Sequence, residues 1–242
     1  MYSHIIGYLA NAIINSKPKL NVLHIGKTGG TNLIEAGIGF PKFNDQVRFR
    51  LREKIFWNYR ARVIGHEDVP SSLSKENLAF FIREPLSRYE SAFWYEKNWR
   101  FSEYEQIIKQ NPDVTALFEV FLTFHDWLLA FSDPNHEKHF YACELKKKSY
   151  HLHRDYTFYF RDVDVIEKME ENVIFIGETE EYESDLARLC KILGVRNASP
   201  LSMRRNKSKK PTNEKLSSVA RSRFEKSFSK EYDLYRRIKD MK

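Results

Sequence analysis

A chain of 242 residues, 42% hydrophobic and 30% charged, can bury a sizeable core, and 9 Gly with 8 Pro exclude a linker-rich or low-complexity chain. Two cysteines exclude a disulfide framework, and no apolar run reaches the roughly 18 residues of a membrane-spanning helix. A net charge of +7 favours anionic partners without naming them: nucleic acid, acidic polysaccharide and a polyanionic nucleotide all carry the matching sign.

The chain opens with MYSHIIGYLANAIINSKPKL, where Ile5, Ile6, Leu9 and Ile13 sit at helical spacing. Residues 1–19 are therefore expected as an amphipathic helix. The basic start and unbroken apolar stretch of a secretory signal are lacking, so a cytoplasmic protein without a transmembrane anchor is expected. Leu20–Ile25 is short, apolar and β-prone, and runs into a glycine-rich turn followed by a helical pattern at Thr31–Ala36. Arg62–Gly65, Leu78–Ile82 and Val173–Ile176 read as further strands, with Tyr156–Phe160 a weaker candidate. Continuous apolar runs bounded by turns suit strands buried on both faces.

Helical patterns lie between them. Leu86–Trp99 carries Tyr89 and Phe93 at i, i+4. Ala116–Phe131 reads as one helix, with Phe118, Leu122 and Leu129 in the core. Ser184–Leu193 is amphipathic and ends at Gly194, a C-cap residue. Asn213–Lys239 gives one or two charged terminal helices. Strands alternating with helices predict a single α/β domain over 1–242, with a central, mainly parallel sheet flanked by helices. Cys143 and Cys190 sit among apolar or aromatic neighbours, as reduced core thiols do.

His24-Ile25-Gly26-Lys27-Thr28-Gly29-Gly30-Thr31 is the strongest local signal. Adjacent glycines let the backbone approach a ligand, and the amides and dipole of a following helix attract phosphate. Lys27 adds a positive charge, and Thr28 and Thr31 add hydroxyls. Gly26-Lys27-Thr28 supplies the end of the nucleotide-triphosphatase pattern, but its first glycine would fall at Asn21. No apolar strand ends in a magnesium-binding Asp. A P-loop kinase or nucleotide hydrolase therefore stands as the alternative, beside an inactive nucleotide- or glycan-binding module.

Arg83 ends the third strand, where open α/β sheets bind ligands, and Pro85 suits the first turn of a helix. Ser91 follows two helical turns later. Taken alone, each has a plain structural explanation: an ion pair for Arg83, close helix packing for Ser91.

Taken together, LHIGKTGGTNL resembles the 5′-phosphosulfate loop of the carbohydrate sulfotransferases that use 3′-phosphoadenosine 5′-phosphosulfate (PAPS). FIREPLSRYESAF resembles their 3′-phosphate motif, in matching order and separation. The nearest group is the 2-O-sulfotransferase-like one that includes heparan sulfate and uronyl enzymes. Gly65-His66, FIGETEEYESDLARLCKILG, RRNKSKKP and the terminal Tyr232-Asp233 and Tyr235 extend the likeness. Gly26 stands for the usual Pro, Asn32 for the usual Ser, and Glu84 for the usual Asp.

The resemblance implies a P-loop-like three-layer fold. It implies that Lys27, Thr28, Gly29, Gly30, Thr31 and Asn32 hold the phosphosulfate, and that Arg83 and Ser91 hold the 3′-phosphate. Arg204 and Ser208, in the basic run Arg204–Lys210, would close over the nucleotide. His66 would be the general base, with Glu67 its neighbouring alternative, and Lys27 would stabilise the leaving phosphate. The acceptor would be a glycan or other hydroxyl compound, anionic saccharides included. PAPS would be the donor and 3′-phosphoadenosine 5′-phosphate (PAP) the product.

No nucleic-acid module is legible, so nucleic acid is not an expected partner. HEKH (His136, His139) and HLH (His151, His153) lack convincingly placed cysteine or carboxylate partners, so no metal is expected. Trp94, Trp99 and Trp127 suit either sugar stacking or packing, and the aromatic stripe of Phe118–Phe131 reads as core.

Overall fold

The computed structural model of the protein describes residues 19–28, 60–64, 76–100, 112–194 and 216–242. Among them, β1 (Lys19–Leu23), β2 (Arg60–Ile64), β3 (Asn77–Ile82) and β4 (Val173–Glu178) form one sheet in the order β2-β1-β3-β4. Every neighbouring pair is parallel, so the chain is a mixed α/β protein with a parallel sheet. The strands lie where the apolar runs predict them, with ends shifted by one or two residues.

The α-helices among the described residues are α1 (Pro85–Arg100), α2 (Pro112–Glu119), α3 (Phe124–Ser132), α4 (His139–Lys148), α5 (Tyr150–His153), α6 (Tyr156–Phe160), α7 (Val163–Met169), α8 (Tyr182–Leu193), α9 (Ser218–Ser227) and α10 (Ser229–Asp240). Residues 1–19 apart from Lys19, the Thr31–Ala36 pattern and the Arg204–Lys210 run lie outside the described residues.

The chain divides into two compact units, neither of them a continuous stretch. The first takes its described residues from Met1–Ile82, Glu167–Arg205 and Met241–Lys242, and contains the sheet. Leu20, Val22, Ala79, Phe81 and Phe175 pack from one sheet face onto Tyr182, Leu186, Leu189, Cys190 and Leu193 of α8. β3 is buried from Leu78 to Ile82, as a central parallel strand must be. Gly177 pairs with Phe81, and a Cβ there would lie 2.5 Å from the Phe81 ring, so the strand needs glycine at that position. Gly194 caps α8 at φ 72°, as its position predicts. The Asp185 carboxylate accepts from the Glu178 amide at 2.7 Å, tying α8 to the end of β4.

The second unit takes its described residues from Arg83–Ile166 and Asn206–Asp240 and is helical. Its core is built on rings: Phe93 lies 5.4 Å from Phe118 and 5.8 Å from Phe124, and Tyr89 stacks on Trp127 at 6.1 Å. Trp94 and Trp127 belong to this core, and Trp127 Nε1 donates to the Ala142 carbonyl at 3.2 Å.

Three expectations are corrected here. Tyr156–Phe160 is helical, not a strand: Asp155 caps it by accepting from the Phe158 amide at 3.1 Å, and Tyr156, Tyr159 and Phe160 bury one face. A local cap and helical burial override the β preference of an aromatic run.

Ala116–Phe131 is two helices meeting at 98°. Thr123 and Asp126 exchange side-chain and amide hydrogen bonds, both 3.0 Å, in a capping box that starts α3 afresh. Lys97 Nζ donates to the carbonyls of Phe118, Phe121 and Leu122 and so closes α2. Leu122, expected in the core, falls in this break and is 77% exposed. Among the described residues, no single helix is long and apolar enough to cross a membrane.

Candidate anion-binding site

β1 and β3 are paired in parallel, with Leu20 opposite Asn77 and Leu23 opposite Phe80. The chain leaves β1 towards β2 on one side and leaves β3 towards β4 on the other. The strand order therefore reverses between β1 and β3, and ligands of open α/β sheets bind outside the carboxyl ends at such a point.

β1 ends in the turn Gly26–Thr28. Lys27 holds the left-handed conformation at φ 67°, a costly position for a residue with a Cβ. Within this turn, then, the special conformation falls on the lysine and not on Gly26. Thr28 is buried, and its hydroxyl donates to the Ile25 carbonyl at 2.9 Å. That bond draws the turn closed and commits the hydroxyl proton inside the loop.

β3 leads through Arg83 and Glu84 into α1. Pro85 takes the first helical position, and Glu84 caps the helix by accepting from the Ser87 amide at 2.7 Å. Tyr232 of α10 donates to the other Glu84 oxygen. Glu84 thus supplies a carboxylate cap at its position, one methylene longer than the Asp of the resembling motif. Arg83 Nε donates to Ser87 Oγ at 2.9 Å. The Arg83 amide donates to Tyr156 Oη at 2.8 Å, and the Tyr156 hydroxyl donates back to the Arg83 carbonyl at 2.7 Å. Ser91 is buried on α1, one turn beyond Ser87.

A buried charged network underlies this junction in the helical unit. Arg88 is completely buried, pairs with Glu231 Oε1 at 3.2 Å, and donates to the carbonyls of His151 and Arg154 at 3.3 and 3.1 Å. The Asp155 carboxylate accepts from Tyr89 Oη at 2.9 Å and pairs with Lys146 at 3.0 Å. Burial disfavours the Arg88 cation, but Glu231, and behind it Tyr89 and Asp155, hold the guanidinium charged. Burial pushes the Glu231 carboxyl up to about 7 against the pull of Arg88. Asp155 goes the other way: burial raises it, and Lys146 with Arg88 outweighs that and holds it below the usual range. Among the described residues, Arg88 Nη2 and Glu231 Oε2 are buried without a hydrogen-bond partner. A second buried carboxylate, Glu96, accepts from Ser149 Oγ at 2.7 Å and lies 3.1 Å from His151 Nδ1. Burial acts to raise it, and its hydrogen bonds, His151 foremost, bring it below its ordinary value.

Of the site residues expected from sequence, Lys27 and Thr28 lie in the turn after β1, and Arg83 and Ser91 lie at the β3–α1 junction. Gly29, Gly30, Thr31, Asn32, His66, Glu67, Arg204 and Ser208 lie outside the described residues. Sequence reasoning gave no site role to Tyr156, Ser87 or Tyr232. Ser87 stands four residues from both Arg83 and Ser91, and Tyr232 lies in the terminal segment that extends the likeness. His136 Nδ1 accepts from the Lys138 amide at 3.1 Å, and His139 Nδ1 contacts the Ala130 carbonyl at 2.9 Å. Both cysteines are free, and burial pushes both thiols up. In the comparisons with known proteins, no family model, no curated protein and no solved structure matches the chain.

Proposed function

We propose that the protein is a sulfotransferase that moves a sulfuryl group from PAPS to a hydroxyl, on a carbohydrate acceptor. One observation carries this: the turn bearing Lys27 and the junction bearing Arg83 follow neighbouring parallel strands where the strand order reverses. The residues suit a doubly phosphorylated adenosine in kind: an ammonium in a tight turn, a guanidinium anchored at Nε, and a buried hydroxyl. On this proposal the fold is P-loop-like. Lys27 to Asn32 bind the 5′ end, Arg83 and Ser91 bind the 3′-phosphate, and Arg204 and Ser208 close over the nucleotide.

PAPS supplies the sulfuryl group and departs as PAP. The acceptor oxygen bonds to sulfur as the bond from sulfur to the phosphate oxygen breaks. His66 takes the proton that the acceptor hydroxyl gives up, and an ordinary pKa near 6.5 suits that task at neutral pH. Lys27 offers its charge to the departing phosphate oxygen.

A thermal-shift comparison of PAP, AMP and ATP tests the proposal, because a ligand at a hundred times its Kd stabilises by about 2.7 kcal/mol. PAP is expected to stabilise more than AMP. Equal stabilisation would refute the proposal, and magnesium-dependent stabilisation by ATP alone would favour a kinase or nucleotide hydrolase. His66→Ala is expected to abolish transfer to a glycan panel while PAP binding persists. Near-normal turnover in that variant removes His66 from the mechanism.

A further inference from the structure

We propose that Tyr156 and Ser87 position Arg83, fixing the direction in which its guanidinium meets the 3′-phosphate of the nucleotide; this rests on the sulfotransferase proposal. A phenol has one proton and two lone pairs. Tyr156 uses them on both sides of one residue, accepting the Arg83 amide at 2.8 Å and donating to the Arg83 carbonyl at 2.7 Å. Arg83 lies just past the last residue of β3, where backbone groups lose their strand partners. The clamp satisfies them and removes the freedom of the backbone at that point.

At the far end of the side chain, Ser87 Oγ accepts from Arg83 Nε at 2.9 Å. With backbone and Nε both held, the guanidinium plane has a set direction, and bidentate recognition of a phosphate depends on that plane.

Tyr156 is itself held firmly. It is completely buried, and its ring stacks on Tyr235 of α10 at 6.1 Å. The Arg88 guanidinium of α1 lies 5.8 Å from its centroid, and its amide faces Glu231 Oε1 at 3.5 Å. Burial pushes the phenol well above its ordinary range, so the donated proton stays in place at neutral pH. The anchor of the arginine is therefore a rigid wall 73 residues further along the chain.

The test is the ratio of the AMP and PAP dissociation constants, which isolates the 3′-phosphate, measured by calorimetry on the full chain. Wild type is expected to prefer PAP strongly. Tyr156→Phe keeps the ring and loses the clamp; it is expected to cut the ratio about tenfold, with AMP affinity changed less than twofold. Ser87→Ala is expected to cut it about threefold. A purely structural role for Tyr156 would lower the melting temperature and leave the ratio unchanged, and that result overturns the inference while the sulfotransferase proposal stands. A wild-type ratio near one overturns both. If Tyr156→Phe does not fold, Ser87→Ala decides alone, and an unchanged ratio there overturns the positioning role.

Discussion

The turn after β1 and the junction after β3 follow neighbouring strands, yet different features define them. In the turn, Thr28 bonds to Ile25 three residues back, and Lys27 carries an unfavourable φ of 67°. The junction is buttressed from a distance, by Tyr156 73 residues away and Tyr232 148 residues away. A strained residue persists where its surroundings over-determine it, and such strain clusters at functional sites. A buttressed residue is placed by the fold, and its loss is first a loss of stability. On the sulfotransferase proposal, chemistry is expected to be concentrated in the turn, and architecture in the junction.

The sharpest test of the architectural half is Arg88→Met. This variant leaves the buried Glu231 carboxyl without its cation, so that it must take up a proton to stay buried, and removing one member of a buried pair costs up to about 3–5 kcal/mol. Urea denaturation at neutral pH measures it. A loss below about 1 kcal/mol would show that the junction does not depend on the network beneath it.

Next in size is the turn. Lys27→Ala is expected to lower the rate of sulfate transfer roughly a hundredfold to a thousandfold, the usual consequence of losing a group that stabilises developing negative charge. Its melting temperature is expected to stay within about 2 °C of wild type, since half a kcal/mol moves a chain of this size by no more than that. Transfer rate and melting temperature, measured on one preparation, check both halves. A large fall in stability with unchanged transfer would reverse the assignment of roles.

The same locality decided what the sequence could reveal. β3 was legible because a buried parallel strand is an uninterrupted apolar run, and the Gly194 cap because its geometry demands glycine. Lys27 and Arg83 were legible as residues, since each follows a strand. Their partners were not. Nothing near Tyr156 says that its hydroxyl will find the Arg83 peptide, and Asp155, which turns an aromatic run into a helix, looks like any loop aspartate. Lys97, which ends α2 from another helix, is likewise invisible in the stretch it terminates. Helix α4 hides its apolar positions, Ala142 and Leu145, among lysines and exposed rings.

A pH series sharpens the contrast further, because the buried network titrates. The Glu231 carboxyl sits at about 7 in the folded protein, above its ordinary 4.5. Its stabilising contribution is therefore complete below pH 4.5 and is lost as pH rises through 7. Asp155 and Glu96 are held below their ordinary values, so their contributions are present above those values and vanish on acidification. Stability is expected to be greatest near pH 4.5–5 and to fall by roughly 2–3 kcal/mol, about 5–10 °C in melting temperature, by pH 8. Glu231→Gln is expected to be less stable at neutral pH and to lack the decline between pH 5 and 8. Persistence of that decline in the variant would assign it to another group.

The smallest expected effect is the most discriminating. Lys27→Gly removes the side chain and the φ penalty together. A non-glycine residue in the left-handed region costs about 1 kcal/mol, and glycine gives back roughly 0.5–1 kcal/mol through the greater freedom of the unfolded chain. Lys27→Gly is therefore expected to melt at or slightly above wild type, and slightly above Lys27→Ala, which keeps the penalty. Both variants are expected to lose transfer alike. A residue kept for its fold would show the reverse, with glycine the worse of the two. If Lys27→Gly lost more than about 1 kcal/mol in urea denaturation, the Lys27 side chain would be holding the turn together, and its unfavourable backbone would no longer argue for chemistry there.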